Sequence, residues 1–195
     1  MSKLKIQIII GSVREGRFCD KPATWIFEQA KKRTELEVEL LDLRDYPLPF
    51  FDEPKSPKTA DGVYVNPAGA AWAEKIGEAD GYIFVTPEYN HGYSAVLKNS
   101  LDWVYKQWNN KPVAFVSYGV AGGVRAVEQL RQVVGELQMV SVSNAVHIPA
   151  FWTLLDEQGN LKTESFEGVG QVLLNQLTTL ASSLKQMRNT NTKTL

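Results

Sequence analysis

Short apolar runs rich in β-branched residues alternate with stretches of helical spacing along the whole chain, and this alternation constrains the fold more than any other feature. Leu4–Ile10, Val38–Leu43, Tyr82–Val85, Val113–Tyr118 and Met139–Val142 are the expected strands. Phe18–Arg33, Pro67–Ala79, a segment with Leu97, Leu101 and Val104 on one face, Ala121–Val134 and Phe166–Met187 read as the helices between and after them. Pro22 falls in the first helix's first turn, where a missing N–H costs little. Such alternation calls for a parallel sheet with helices on both faces, and right-handed crossovers leave few strand orders. The order 2-1-3-4-5 is the common five-stranded solution, and its ligand crevice lies at the carboxyl ends of strands one and three.

A chain of 195 residues suits one α/β domain, here spanning 1–188, with 189–195 expected to be a frayed tail. The formal net charge of -1 offers no basic excess for nucleic-acid binding. Cys19 is the only cysteine, so no internal disulfide can form and a reducing compartment is the simpler reading. The run Ile6–Ile10 is too short to span a membrane and lacks a signal-peptide cleavage pattern, which points to a cytoplasmic protein.

The unusual residues follow strands one and three. Gly11-Ser-Val-Arg-Glu-Gly-Arg-Phe-Cys19 leads from a strand into a helix, whose first amides and dipole favour an anion. Gly11 and Gly16 permit sharp turning, Ser12 brings a hydroxyl, and Arg14 and Arg17 bring charged donors, which together suit a phosphate monoester. The loop is neither a Walker A sequence nor a dinucleotide fingerprint, and a plain βα loop with surface arginines is the competing reading. After strand three, Thr86-Pro-Glu-Tyr-Asn-His-Gly92 combines a fixed angle at Pro87 with tolerant positions at Asn90 and Gly92. Backbone N–H groups in such a turn can face a planar heterocycle; an ordinary turn with a helix cap at Ser94 is the alternative. Arg44–Val65 is a long Pro- and Gly-containing loop. Asp42, Asp45, Asp52 and Glu53 flank it and read as a solvated face, and Tyr46–Phe51 within it as a pocket wall, an interface or part of the core. With two histidines and one cysteine, no His- or Cys-rich metal site is expected, and His147 reads as a rim or structural residue. No Gly-x-Ser-x-Gly elbow supports a hydrolase.

Pro87-Glu-Tyr-Asn90, followed by Leu97-Lys98-Asn99 and Asp102-Trp103, resembles the signature of the NADPH-dependent FMN reductase family. Gly11-Ser12-x-Arg14 with Gly16 resembles that family's phosphate loop, and Ser117-Tyr-Gly119 with Gly122-Gly123 and Arg125-Ala126 its third flavin-side loop. The resemblance spans roughly Lys5 to Val134. It implies a flavodoxin-like α/β three-layer sandwich that binds FMN without a covalent link. Ser12, Arg14, Arg17, Phe18 and Cys19 would surround the phosphate, Cys19 through its backbone. Pro87, Glu88, Tyr89 and Asn90 would line the ring, largely through main-chain groups, with Ser117 and Gly119 on the other side. His91 follows the motif at a position that varies in the family.

What the resemblance implies is ping-pong hydride transfer from NADPH or NADH to quinones, azo or nitro compounds, metal oxyanions such as chromate, or free flavin. No catalytic side chain is required, because the flavin carries the chemistry. Relatives also imply a homodimer or homotetramer. The rivals are an electron carrier or redox-sensing module, against which stand the missing Thr/Ser-rich loop and acidic surface of a flavodoxin, and a nucleotide-binding domain without flavin.

Overall fold

The computed structural model describes residues 3–60 and 62–191. Strands β1 (Leu4–Ile10), β2 (Leu36–Asp42), β3 (Gly81–Pro87), β4 (Pro112–Gly119) and β5 (Val140–Pro149) form one sheet in the order β2-β1-β3-β4-β5. Every neighbouring pair is parallel. Helices α1 (Asp20–Lys31), α2 (Pro67–Gly77), α3 (Ala95–Asp102), α4 (Val124–Glu136) and α5 (Glu167–Asn191) follow them in turn. The expected sheet and strand order are those observed.

Alternation along β1 divides the core. Ile6, Ile8 and Ile10 join the cluster that packs on α1 and α5 through Ala23, Ile26, Leu173 and Leu177. Ile9 turns to the opposite face, with Phe84, Phe115, Trp72 of α2 and Leu97 of α3. The central strands β3 and β4 are buried along their whole length, as parallel strands covered on both sides must be.

Among the boundaries that differ from the sequence reading, three bear on the site. Helix α1 starts at Asp20 rather than Phe18, leaving Phe18 and Cys19 in the loop before it. Helix α4 starts at Val124, because Gly122 and Gly123 hold φ of 76° and 78°, outside helical space. Strand β5 does not end at Val142: Val113 pairs with Ser141 and Phe115 with Ala145, so the strand bulges between them and continues to Pro149. Arg131 holds the bulge by donating 2.8 Å bonds to the carbonyls of Val142 and Ser143. At the other end, α5 continues through Asn189 to Asn191, and the rest of the expected frayed tail lies outside the described residues.

Lys111, just before β4, is buried at the pole opposite the strand ends that carry the site. Its ammonium nitrogen donates to the carbonyls of Ile76 and Gly77, at 3.2 and 3.1 Å, and to the Tyr82 hydroxyl at 3.0 Å. These are last-turn carbonyls of α2, and that of Ile76 also accepts from the Glu78 and Ala79 amides at the helix end. Burial, reinforced by Arg188, pushes this amine down to about 7. Between the folded and unfolded values the unfolded chain binds more protons, so this group makes stability rise with pH. The expected outcome is a rise from about pH 7 to about pH 8.5, at up to about 1.4 kcal/mol per pH unit, that Lys111→Met abolishes. Urea unfolding of both proteins across that range measures it.

Candidate functional site

The loops after β1, β3 and β4 meet at the carboxyl edge of the sheet, where the winding reverses between β1 and β3. The first loop is closed against β3. The Gly11 amide donates to the Val85 carbonyl at 2.7 Å, and a Cβ on Gly11 would lie 2.7 Å from that same oxygen. Only glycine fits there. The Ser94 hydroxyl donates to the Gly11 carbonyl and also accepts from the Leu97 amide at 3.3 Å, so it caps α3 and ties down the loop together.

Beyond Gly11 the loop leaves its donors open. Among the described residues, the amides of Val13, Glu15, Gly16, Phe18 and Cys19 donate to no protein acceptor. The Arg14 side chain is exposed and likewise uncommitted. Open amides at the start of α1, with one free guanidinium, form a donor set that suits a phosphate dianion.

Arg17 plays a different part. Its side chain is only 2% exposed and grips both oxygens of Asp42, the side chain of Asp20 and the carbonyl of Ser12. The two carboxylates raise its pKa further, and Arg17 in turn helps hold the Asp42 carboxyl below its usual range. The guanidinium thus braces the loop from behind, and its charge is already met. Asp42 is therefore not part of a solvated flank. It ends β2 in register with Ile10 of β1, which delivers its carboxylate to the loop. Nor is Glu53 merely solvated: it accepts from the amides of Val65 and Asn66, at 3.0 and 2.7 Å, ahead of α2.

Phe18 and Cys19 face inward. The Phe18 ring packs against Tyr118 and Phe151, with centroids 5.0 and 4.4 Å away. The Cys19 thiol is fully buried, donates to the Val85 carbonyl at 3.3 Å, and is pushed up to about 12 by burial. Only its backbone amide is left for a ligand.

The second loop makes a tight turn. Tyr89 and Gly92 exchange backbone hydrogen bonds of 2.8 and 3.0 Å around Asn90 and His91, both with positive φ (50° and 69°). Two left-handed central residues define the turn type that joins antiparallel segments tightly. Among the described residues, the amides of Asn90 and His91 have no acceptor, and both residues are exposed. The Tyr89 hydroxyl lies 3.1 Å from the Ser12 Oγ, joining this loop to the first. Pro87 is buried at the end of β3.

The third loop closes beside the second. The Glu88 amide donates to the Tyr118 carbonyl at 2.9 Å, and a Cβ on Gly119 would come within 3.2 Å of the Glu88 Cβ. Ser117 is fully buried; its Oγ donates to the Gly122 carbonyl at 2.7 Å and stands 2.8 Å from His147 Nδ1. Ser117 and His147 thus shape the double-glycine turn from beneath, and His147 is structural, as its sequence context implies. Burial lowers its pKa and keeps the ring neutral.

Two motif residues turn out to be tethers. The Asn99 amide donates to the carbonyls of Leu48 and Pro49, at 3.2 and 2.9 Å, and the Trp103 indole donates to Pro49 at 2.7 Å. They pin the long loop to α3. In that loop Tyr46 packs against Trp72 and Phe51 against Trp103, while Phe50 is 84% exposed, so the aromatic segment is divided between core and surface. A cavity of about 310 Å³ opens beside it, between Val13, Arg44 and Val96. Among the described residues, no group of three or more His, Cys, Asp or Glu side chains is placed to hold a metal, and no helix is long and apolar enough to cross a membrane.

Residues 4–153 match the model of the NADPH-dependent FMN reductase family. An NAD(P)H-dependent FMN reductase of Schizosaccharomyces pombe is 48% identical over 135 residues, covering 69% of this chain and 68% of the relative. An NADPH:quinone oxidoreductase of Arabidopsis thaliana is 32% identical over 183 residues, covering 88% and 89%. Among solved structures, the flavoenzyme NAD(P)H:(acceptor) oxidoreductase FerB of Paracoccus denitrificans shares the fold, with a TM-score of 0.72 at 19% identity over 92% of this chain and 98% of that one.

Removing the Asp42 carboxylate leaves a buried guanidinium with only the half-exposed Asp20 carboxylate as its charge partner. Asp42→Ala is expected to cost about 3 kcal/mol of folding stability in chemical denaturation. Because the Asp42 pKa is depressed in the fold, the wild-type advantage should be present above about pH 4 and disappear as pH falls through the lowered value.

Proposed function

The chain belongs to the NADPH-dependent FMN reductase family, and from that premise we propose that it is an NAD(P)H-dependent oxidoreductase whose FMN lies across the three loops described above. The observation that carries the reading is the pairing of two open donor sets, the amides of Val13, Glu15, Gly16, Phe18 and Cys19 with the Arg14 side chain and the turn amides of Asn90 and His91, joined by the Ser12–Tyr89 contact. The first set fits a phosphate monoester and the second the polar edge of a planar ring.

In this assignment Ser12, Arg14, Phe18 and Cys19 hold the phosphate end, the last two by backbone amides. Arg17 is a brace that keeps those amides in place. Pro87, Glu88, Tyr89 and Asn90 line the ring, and Ser117 and Gly119 close the other side through the turn they support. The chemistry that bound FMN supplies is two-electron transfer from NAD(P)H to an acceptor. The protein's own part is position and field. Amides at Asn90 and His91 offer positive dipoles where negative charge gathers on a reduced ring, and the buried closure of Gly11 on Val85 keeps the loops from giving way. No side-chain acid or base is assigned.

NAD(P)H and the acceptor would take the same exposed face in turn, a ping-pong order. Quinones are the acceptor class best supported, since relatives at 30% and 32% identity are named quinone reductases. Azo and nitro compounds, chromate and free flavin extend the same reading. Exposed Phe50, Val63 and Val65 on the long loop support assembly as a homodimer or homotetramer. A cytoplasmic location accords with the single buried thiol.

A visible spectrum tests the core of this reading. Protein mixed with FMN and desalted should keep a flavin band that bleaches on anaerobic addition of NADPH. A colourless protein would sink the assignment, and a yellow one that NADPH leaves unbleached would favour an electron carrier or sensor. Arg14→Ala should raise the FMN dissociation constant at least about tenfold, the worth of one charge-assisted bond, and leave the melting temperature unchanged. Unchanged affinity would remove Arg14 from the phosphate site.

A further inference from the structure

One face of α4 holds the Tyr89–Gly92 turn from both sides. On the first side, the Glu88 carboxylate is turned away from solvent, with a side-chain exposure of 8%. It accepts from the Arg125 guanidinium at 2.7 Å and from the Arg125 backbone amide at 3.1 Å. Helix α4 has no side-chain cap of its own, because its N-cap is Gly123, so the acid of the loop after β3 meets its open amide. On the second side, the Gln129 side chain donates to the His91 carbonyl at 3.0 Å. Arg125 and Gln129 are four residues apart and so share a helix face. The grip is close, since a Cβ on Gly92 would stand 3.0 Å from the Gln129 side-chain oxygen.

The turn needs such support. Asn90 and His91 both sit in left-handed backbone space without being glycine, a conformation that persists only when its surroundings enforce it. The amides of those residues are also the donors assigned to the ring edge.

We propose that Glu88, Arg125 and Gln129 are positioning residues that set the flavin's redox behaviour by fixing the Tyr89–Gly92 turn. None of the three side chains needs to touch the ring. The inference rests on the functional reading above, and it ties the second and third loops into one unit, so that the ring-side donors move with the start of α4.

Gln129 is solvent-exposed, so Gln129→Ala is expected to fold like the wild type. Glu88→Gln keeps the side-chain shape while removing the charge. The measurements are the FMN dissociation constant by fluorescence quenching, the visible spectrum of the bound flavin, and its midpoint potential against a reference dye. Gln129→Ala should raise the dissociation constant about fivefold, the worth of one neutral hydrogen bond, and lower the midpoint potential with no change in melting temperature. Combining both substitutions should exceed the sum of the single effects, because each leaves the turn one anchor. Wild-type potential and spectrum in both single variants would reduce these contacts to helix capping and overturn the proposal. If the wild type retains no FMN, the functional reading fails, and amide exchange in the ligand-free chain decides the grip separately. Gln129→Ala should then speed exchange at the Tyr89 and Gly92 amides, and unchanged exchange would overturn the proposal.

Discussion

The hydrogen bond from the Gly11 amide to the Val85 carbonyl is the closure on which the rest of the site depends. It joins β1 and β3 just past the last paired residues, at the one place where successive crossovers leave the sheet in opposite directions. The Cys19 thiol reaches the same carbonyl, and the Ser94 hydroxyl takes the Gly11 carbonyl. One peptide junction thereby fixes the first loop, the start of α1 and the start of α3. A side chain at residue 11 would force the two strands apart, and none of those three elements could then hold its present place.

Around that closure, charge is divided by task. Arg17 is buried and fully met by Asp42 and Asp20, so it adds rigidity and almost no net field. Arg14 is exposed and unmet, so it supplies the field. The two arginines look alike in the sequence, yet the fold makes one a bracket and leaves the other exposed and unpaired. The difference comes from strand order: only because β2 lies beside β1 does the end of β2 bring a carboxylate to Arg17.

That contrast also explains what was legible in the sequence. The strands and the three loops follow from periodicity and from turn residues, which are local signals, and their order from the few arrangements that right-handed crossovers allow. Contacts between distant segments were not legible. Asp42 read as part of a solvated flank, and nothing local marked Glu88 as the cap of α4 or Asn99 and Trp103 as tethers. The β5 boundary failed for a related reason. Ser143 and Asn144 look like the end of a strand, but Arg131 and Gln176 satisfy the bulge and let the pairing resume at Ala145. That resumption carries His147 to Ser117.

The position of Cys19 has a consequence for chemical durability. Acceptors of the quinone kind, which the proposed function favours, are also electrophiles, and an accessible thiolate near the open loops would be exposed to alkylation. Here the chain's one sulfhydryl stands at the mouth of α1, yet it has no exposed surface, is held protonated at neutral pH and points at a backbone oxygen within the sheet. The fold leaves the amide of this residue open and withholds its sulfur, so a residue that would be a liability on the surface is chemically silent where it lies.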